Sequence, residues 1–275
     1  MSAIDRFNSA IRDDFQLAPL VAAELEFVLH GAPDDLSCSA LHEIIQQAGL
    51  SPHKVEKEQG RQQYEVALLG MHPAWTCRNI VALKSLLQEY AAARGMQADF
   101  SAKPFADQPG NGMHIHIDLI NRELKSAFFK QDAVISDALK HSIGGLLHWM
   151  LPSMPVFAPH EESYARFVGQ HNAPTNVSWG ANNRTVALRL PDAPEGLRHI
   201  EHRVAGSDTD PGQVIALILA AIHDGLGSKY ALPEQVYGDA ALEQYALPKF
   251  PTTLDAAWRL CENSELCDTI REVTT

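Results

Sequence analysis

Apolar and polar residues alternate along several segments of the chain, with the two-residue period of strands whose faces differ. The clearest segment is 21–29, VAAELEFVL, in which Leu25 and Phe27 share one face and Glu24 and Glu26 share the other. The same alternation, or an extended run bounded by turn residues, predicts further strands. These predicted strands are residues 63–69, 97–101, 113–119, 175–179, 184–190 and 197–204.

Other segments repeat apolar residues at the three- and four-residue spacing of helices. Glycines follow two of them, prolines end a third, and Pro211 begins a fourth that is apolar almost throughout. The predicted helices are residues 39–48, 73–94, 133–150, 211–225 and 254–267. Hairpins and helical excursions join the predicted strands, with no regular strand–helix–strand units. The pattern therefore predicts an α+β fold with a largely antiparallel sheet and flanking helices, in a single domain spanning 1–275.

The composition narrows the class of protein. The 275 residues include 34 acidic and 22 basic side chains, and a formal charge of −12 argues against nucleic acid as a partner. Residues 1–14 lack the apolar stretch of a signal peptide, and the longest apolar run, 214–222, is too short to span a membrane. No two of the four cysteines have CxxC spacing, so we expect free, reduced thiols and a cytoplasmic protein.

Three predicted strands carry acids and imidazoles together on one face. The sets are Glu24 with Glu26, His114 with His116 and Asp118, and His199 with Glu201 and Arg203. A solvated sheet face is the ordinary explanation for any one of these strands taken alone. Three strands with the same pattern favour a site, because clustered carboxylates repel one another and a cation relieves the repulsion. Carboxylates with one or two imidazoles suit Mg²⁺ or Mn²⁺.

Arginines and glycines near these strands leave two interpretations open. The arginines are Arg166, Arg184, Arg189 and Arg203. They would bind phosphate or carboxylate groups if they faced a metal cluster, and otherwise they are counterions to surface acids. Gly110-Asn-Gly112 either lets the backbone approach a ligand closely or forms a simple turn. The chain has no GxxxxGK[ST] loop, so a P-loop nucleotide site is unsupported.

Several segments, in order along the chain, match a known family. The chain resembles the catalytic domain of glutamine synthetase and its γ-glutamyl-amide ligase relatives. The matching segments are AELEFVL, EQGRQQYEV, KPFADQPGNGMHIHIDL, RFVGQHNAPTNVSWGANNRTVALRLP and IEHRV, which cover most of 19–225. NAPTNVSWG with NRTVALR is the most specific of them, and the tail YGDAALEQYALPKFPTTLDAAW resembles the region after the family's active site. The resemblance implies the family's curved antiparallel sheet.

Carried over by position, the resemblance implies ligands for two or three Mg²⁺ or Mn²⁺ ions and contacts to ATP and a carboxylate substrate. The ligands of the ion at the nucleotide phosphates are Glu24, His114 and Glu201. The ligands of the ion beside the substrate are Glu26, Glu58 and Glu65. The substrate contacts are Arg166, Arg203, Gly110 and His116, and the contacts to the nucleotide are Arg184, Arg189 and His199. The catalytic positions are Arg184, Arg189, His116 and Asn172.

The chemistry that the resemblance implies has two steps. ATP phosphorylates a side-chain carboxylate, usually that of glutamate, and ammonia or an amine then displaces phosphate from the acyl phosphate. The resemblance also implies a homo-oligomer with active sites between subunits.

Departures from the family pattern change the expected nucleophile. Asn172 stands where glutamine synthetase has a flap glutamate that takes a proton from ammonium, which asparagine cannot do. His199 replaces a usual arginine, and Arg61-Gln62 replaces a usual Pro-Gly. The match does not extend to the family's N-terminal β-grasp domain, which completes the neighbouring subunit's site. We therefore expect a ligase for an amine other than ammonia. The alternative is a non-catalytic or partner-dependent homologue that binds nucleotide and metal and needs a second chain to complete its site.

Overall fold

A single sheet organises the part of the chain that the computed structural model describes, residues 1–128, 135–168, 173–192 and 198–274. The strands in these ranges are β1 (Ala18–His30), β2 (Pro52–Lys57), β3 (Gln63–Met71), β4 (Gln97–Asp99), β5 (Met113–Ile120), β6 (Trp179–Ala181), β7 (Leu188–Leu190) and β8 (Ile200–His202). The helices are α1 (Ala3–Phe15), α2 (Cys38–Gln47), α3 (Pro73–Ala92), α4 (Asp137–Met150), α5 (Met154–Phe157), α6 (Pro211–Ser228), α7 (Leu254–Glu262) and α8 (Cys267–Thr274).

The strand order is β2-β3-β1-β5-β8-β7-β6, and β4 pairs with the last residues of β1. All these pairings are antiparallel except that of β6 with β7. This topology confirms the predicted α+β class and the largely antiparallel sheet. None of the helices in the described ranges is long and apolar enough to cross a membrane.

The alternation of the central strands gives the sheet one apolar face and one polar face. Leu25 and Phe27 of β1 and Ile115 and Ile117 of β5 are fully buried. Helices α1 and α3 contact β1, and α6 packs against α1, α3 and α4. Because the helices cover the apolar face, the acids and imidazoles of the same strands are left on the opposite face.

Helices α4 and α6 approach each other at a pair of glycines. A Cβ atom added to Gly145 would lie 2.7 Å from the Cα of Gly225, and closer still to the carbonyl oxygen of Ala221. A Cβ atom added to Gly225 would lie 2.8 Å from the Cα of Gly145. The backbones of the two helices are therefore in direct contact at this crossing.

The C-terminal segment packs against residues 175–179, where the sequence predicts a strand followed by a turn into 184–190. The Val177 amide donates to the carbonyl of Pro248 at 2.9 Å, and the Phe250 amide donates to that of Thr175 at 3.0 Å. Because the tail satisfies these backbone groups, β6 begins only at Trp179 and runs parallel to β7. The prediction of a strand over 175–178 was wrong in this respect.

The sequence prediction lacks α1, β2 and the short α5, and its single helix over 254–267 is two helices, α7 and α8. Helix α1 begins after Ser2, whose hydroxyl accepts a hydrogen bond from the Asp5 amide, but it buries only three residues, Ile4, Asn8 and Ile11. Strand β2 has two buried residues and lies at the edge of the sheet. Strand β2 shows weak alternation because it buries little, whereas Ile4, Phe7 and Ile11 of α1 follow helical spacing and could have identified that helix. Positions 133, 134 and 197 of the predicted elements, and Asn172, lie outside the described residues.

Candidate active site

A cavity of about 150 Å³ lies on the polar face of the sheet, and carboxylates and guanidinium groups form much of its wall. The register of the strands brings these groups together. Glu24 is paired with His114 across β1 and β5, and Glu201 is paired with His116 and Arg189 across β8 and its two neighbours. The predicted residues that line the cavity are Glu24, Glu26, Glu58, Glu65, Gly110, His114, Arg166, Arg184, Arg189, Glu201 and Arg203.

One half of the cavity is a crowded group of acids. Glu26 and Glu65 are directly opposite each other on β1 and β3. Burial, followed by the charges of Glu24 and Glu26, raises the pKa of Glu65 to about 9. Burial and the charge of Glu26 also raise the pKa of Glu58. Like charges held this close disfavour ionisation, and a divalent cation would remove that penalty.

The other half of the cavity is centred on Glu201, which is 1% exposed. Arg189 Nη1 donates to its Oε2 at 2.9 Å, and Arg203 Nη1 donates to its Oε1. His114 Nδ1 lies 3.6 Å from the same Oε1. Burial favours the neutral acid, but Arg203, His114 and His116 outweigh it and lower the pKa of Glu201 to about 2. Glu201 is therefore a buried carboxylate that keeps its charge.

The side chains of Glu24, His114 and His116 connect the two halves. Burial alone would raise the pKa of Glu24, but the two imidazoles hold it well below its usual range. Oxygen or nitrogen atoms of Glu24, His114 and Glu65 lie within 4.8 Å of one another, and so do those of Glu24, His116 and Glu201. The buried Nε2 of His116 lies 3.3 Å from Glu24 Oε1, without the alignment of a good hydrogen bond. A donor set of carboxylates and imidazoles fits a divalent cation such as Mg²⁺ or Mn²⁺.

His116 and His199 lie beside the cavity and contact each other. The distance from His116 Nδ1 to His199 Nε2 is 2.8 Å, and His116 Nε2 lies 3.3 Å from Glu24 Oε1. The imidazole of His199 thus occupies the place that the resemblance assigns to an arginine. A hydrogen bond to one ring nitrogen fixes the orientation of the whole ring, so His199 orients His116 toward Glu24.

Arg166 reaches the cavity from a short 3-10 helix, Glu161–Phe167. Its guanidinium donates to the carbonyls of Val204 at 2.8 Å and Arg203 at 3.1 Å, which fixes its position although it is only 5% exposed. A Cβ atom on Gly110 would lie 2.9 Å from Arg166 Cγ, and one on Gly112 would lie 2.6 Å from His114 Nε2. The two glycines therefore allow close packing against Arg166 and His114, and a close approach of this backbone to a ligand stays a prediction.

Asp118 shares a strand face with His114 and His116, but it is not among the described residues that line the cavity. It accepts hydrogen bonds from the Ser126 hydroxyl at 2.6 Å and the Leu119 amide at 2.8 Å. Burial raises its pKa to about 6. A residue on the same strand face as His114 therefore does not always line the cavity. Asp118 is too far along β5 to do so.

Glu56 and Gln63 line the cavity but are not among the residues predicted from the sequence. Glu56 is opposite Glu65 on β2 and β3, and it alternates with Glu58 as Glu24 does with Glu26. That alternation was the signal that could have identified it. Gln63 joins two loops, because its Nε2 donates to the Gly110 carbonyl at 2.9 Å and its Oε1 accepts from the Gly60 amide at 2.9 Å.

The loop between Glu58 and Glu65 keeps a tight turn without the family's Pro-Gly. Gln62 has φ of 55°, a left-handed conformation that glycine adopts more easily. Its Nε2 donates to the Ala32 carbonyl at 2.6 Å, and the guanidinium of Arg61 lies over the ring of Phe105 at 4.9 Å. These contacts anchor the loop, so both carboxylates still reach the cavity.

The acid cluster predicts a pH dependence that a metal ion should remove. The pKa of Glu65 is about 9 in the folded state against an ordinary value of 4.5, so the folded chain binds the extra proton between these values. Stability contributed by this proton is complete below about pH 4.5 and is lost as pH rises toward 9. We expect Mn²⁺ to raise the thermal midpoint more at pH 8.5 than at pH 6, because at pH 6 the ion must displace the proton. Thermal melts with Mn²⁺ or with a chelator measure this difference.

The matched control for this pH dependence is Glu65→Gln, which removes the titrating group and nearly preserves its shape. In this variant the thermal midpoint measured with chelator should change much less between pH 6 and pH 8.5 than it does in the unmodified protein. Equal Mn²⁺ shifts at both pH values in the unmodified protein would contradict the assignment of Glu65 to a metal site.

Comparison with known proteins gives matches to one family over most of the chain. Residues 34–273 match the family described as glutamine synthetase, catalytic domain. The chain is 40% identical over 190 residues to gamma-glutamylputrescine synthetase of Escherichia coli and 35% identical over 219 residues to gamma-glutamylethanolamide synthetase of Streptomyces coelicolor. These alignments cover 69% and 80% of this chain but only 40% and 46% of the two relatives, so the chain spans less than half of their length. The structure of a GmaS/ADP complex superposes with a TM-score of 0.85 over 98% of this chain and 69% of that one, at 23% identity, which shows a common fold.

Proposed function

The chain belongs to the glutamine synthetase family, and on that premise we propose that it is an ATP-dependent carboxylate–amine ligase. The proposed product is a γ-glutamyl amide or a similar amide, made from glutamate and an amine other than ammonia through an acyl-phosphate intermediate. The names of two relatives, a putrescine and an ethanolamine ligase, support an amine larger than ammonia.

The observation that carries this proposal is that carboxylates and guanidinium groups line one cavity together. The carboxylates include Glu24, Glu26, Glu58 and Glu65, and the guanidinium groups are those of Arg166, Arg184, Arg189 and Arg203. A reaction between a nucleotide triphosphate and a carboxylate needs this combination, because both substrates are anions that repel each other. Acids hold the cations that neutralise phosphate, and arginines hold the anionic groups directly.

The metal ligands in this proposal are the residues carried over from the family. Glu24, His114 and Glu201 would hold one Mg²⁺ or Mn²⁺ ion, and Glu26, Glu58 and Glu65 would hold another. When bound, such ions neutralise charge on phosphoryl oxygens and orient the phosphate groups. His199 orients His116, whose Nε2 faces Glu24.

The arginines bind and orient the two anionic substrates. Arg189 is fixed by Glu201 at 2.9 Å and by the Asn182 side chain at 2.7 Å. Its remaining donors would bind a phosphoryl group together with Arg184. Arg166 and Arg203 would hold the carboxylates of glutamate. Because Arg166 is already fixed by backbone carbonyls, it loses little side-chain entropy when the substrate binds. The place of Asn172 near the amine stays a prediction.

The test is ADP release by the purified chain with ATP, Mn²⁺ or Mg²⁺ and L-glutamate. The panel of nucleophiles contains ammonia, alkylamines, diamines, amino alcohols and aromatic amines, with reactions lacking amine or glutamate as blanks. We expect release with at least one larger amine and little with ammonia. Arg189→Ala should lose this activity, whereas Arg259→Ala, which removes a guanidinium exposed on α7, should keep it.

Two other outcomes would change the proposal. Turnover with ammonia alone would contradict the proposed amine selectivity. Tight ATP–Mn²⁺ binding without turnover on any amine would favour the alternative, a homologue that needs a second chain to complete its site. The predicted homo-oligomer is tested on the same sample by sedimentation, and added fractions that restore turnover would contain the missing chain.

A further inference from the structure

Two cysteines are in contact where α7 is followed by α8, in a part of the chain that comes after all the described residues that line the cavity. Cys261 is in the last turn of α7, and Cys267 is the first residue of α8. The distance between their Sγ atoms is 3.2 Å, and both thiols are free. Cys261 is fully buried and Cys267 is 8% exposed. Their sequence spacing of six residues has no CxxC pattern, so this pair is not evident from the sequence.

The backbone of the intervening turn is held by its own hydrogen bonds. The Ser264 amide donates to the Cys261 carbonyl at 2.9 Å, and the Cys267 amide donates to the Ser264 carbonyl at 3.2 Å. An ion pair between Arg271 and Glu262, at 3.1 Å, joins the two helices beside the thiols. The two sulfur atoms are therefore kept together by the fold, so that a bond between them requires little movement of the backbone.

The two thiols differ in their access to solvent. An open surface cavity of about 460 Å³ is lined by Cys267, with Glu262, Ser264, Glu265, Asp268 and Arg271. Cys267 borders this cavity and is the more exposed of the two residues, whereas Cys261 is fully buried, so Cys267 is the thiol that a small oxidant would meet first. Burial, followed by the neighbouring thiol, raises the pKa of Cys261 to about 12, so Cys261 is poorly suited to react first.

We propose that Cys261 and Cys267 form a reversible oxidation site, in which a peroxide converts the thiol pair to a disulfide. In the first step Cys267 sulfur attacks a peroxide oxygen, so an S–O bond forms, the O–O bond breaks and water leaves. In the second step Cys261 sulfur attacks the sulfenic sulfur of Cys267, so the S–S bond forms, the S–O bond breaks and a second water leaves. Hydrogen peroxide is reduced, both thiols are oxidised, and an added dithiol reverses the change.

The disulfide would join α7 to α8 covalently. Helix α7 in turn contacts the 3-10 helix that carries Arg166 of the cavity. The Leu254 amide, at the start of α7, donates to Glu161 Oε2 at 2.9 Å. Glu161 begins the 3-10 helix that carries Arg166. Ile270 of α8 is fully buried in the core. Holding α7 and α8 together should therefore raise the thermal midpoint of the oxidised protein.

The experiment uses the full chain treated with hydrogen peroxide and then digested with trypsin. Cleavage after Arg259 and Arg271 gives a peptide, 260–271, that contains both Cys261 and Cys267 and no other cysteine. We expect this peptide to lose two hydrogen atoms, the titratable thiols of the unfolded chain to fall from four to two, and the thermal midpoint to rise by roughly 5 °C. Dithiothreitol should reverse all three changes.

The controls separate this pair from the other two thiols. A Cys38→Ser, Cys77→Ser double variant should still form the bond, and Cys261→Ser should instead retain oxygen on Cys267. An unmodified 260–271 peptide, oxygen uptake on Cys267 without loss of the Cys261 thiol, or disulfides only between chains would overturn the proposal. The peptide measurement on the unmodified chain decides the question even if Cys261→Ser does not fold. None of these outcomes depends on ligase activity.

Discussion

Glu201→Gln is expected to weaken Mn²⁺ binding in the presence of ATP by at least roughly 100-fold and to remove ligase turnover. The carboxylate is 1% exposed and carries a full charge, because its pKa is lowered to about 2. Glutamine keeps the shape but offers a cation only a neutral oxygen. It also leaves the guanidiniums of Arg189 and Arg203 without the charge that fixes them. The cavity would therefore lose a metal ligand and the alignment of two arginines in one substitution.

The choice of glutamine follows from the stability cost of removing this carboxylate. Loss of one partner of a buried ion pair costs about 3–5 kcal/mol, since the other charge stays buried without its counterion. Glu201→Ala would add a cavity to that cost, so a loss of binding in Glu201→Ala would not separate unfolding from loss of a ligand. Glu201→Gln keeps a hydrogen-bond acceptor for the arginines. Urea unfolding of the variant should show a lower midpoint than that of the unmodified chain, with the variant still folded in the absence of urea.

Mn²⁺ titration with and without ATP measures the effect. The control is Glu56→Gln, because Glu56 lines the same cavity but its side chain is 43% exposed and ion-pairs with Lys54. We expect this control to bind Mn²⁺ nearly as the unmodified chain does. An unchanged titration in folded Glu201→Gln protein would remove Glu201 from the metal site.

Gly145→Ala is expected to lower the free energy of unfolding by about 3 kcal/mol or more. The added methyl group would lie 2.7 Å from the Cα of Gly225 and closer still to the Ala221 carbonyl oxygen, well inside the van der Waals contact distance. Both obstacles are backbone atoms of α6, which cannot rotate away as a side chain can. The two helices would have to separate, and α6 is central to the apolar core. Urea unfolding followed by circular dichroism measures the loss.

Gly227→Ala, in the partner helix α6, is the control. The nearest heavy atom to a Cβ at this position is Cζ of Phe15, at 3.9 Å, which is ordinary contact. Alanine should therefore stabilise the helix by about 0.5–1 kcal/mol, because it restricts the unfolded chain and has the higher helix propensity. Similar losses in both variants would show that the Gly145 effect reflects any glycine-to-alanine change in these helices and not the close crossing of α4 with α6.

The sequence predicts the centre of the sheet better than its edges. The alternation in β1 and β5 identifies their centres and their faces, because these strands pack one face on helices and turn the other to the cavity. The bounds of β5 are right to one residue, whereas β1 extends three residues before the predicted 21–29 and one after it. Edge strand β2 escapes prediction because only Pro52 and Val55 are buried in it. Alternation also does not show which strands are adjacent. The pairing of Glu65 with both Glu26 and Glu56 is therefore known only from the tertiary structure.

The sequence predicted most of the residue types that line the candidate site, but not the contacts between those residues. The arginines could be chosen from the sequence only through the resemblance to a family, since surface counterions have the same residue types. The contact of His116 with His199 depends on the register of β5 with β8, which local patterning does not specify. The parallel pairing of β6 with β7 depends on a tail more than fifty residues further along the chain.

The packing of that tail sets a limit on how far the chain can be shortened. Trp179 Nε1 donates to the Pro233 carbonyl at 2.8 Å, and buried Asn176 donates to the Ala240 carbonyl at 2.7 Å. A stop codon placed directly after α6 would remove both acceptors and leave two buried donors without partners, at about 1–3 kcal/mol each. Strand β6 and the arginine-bearing loop that follows it would lose their support. The shortest fragment that preserves the cavity therefore extends beyond Phe250. An expression tag should follow α8, and the segment between α6 and α7 should be kept.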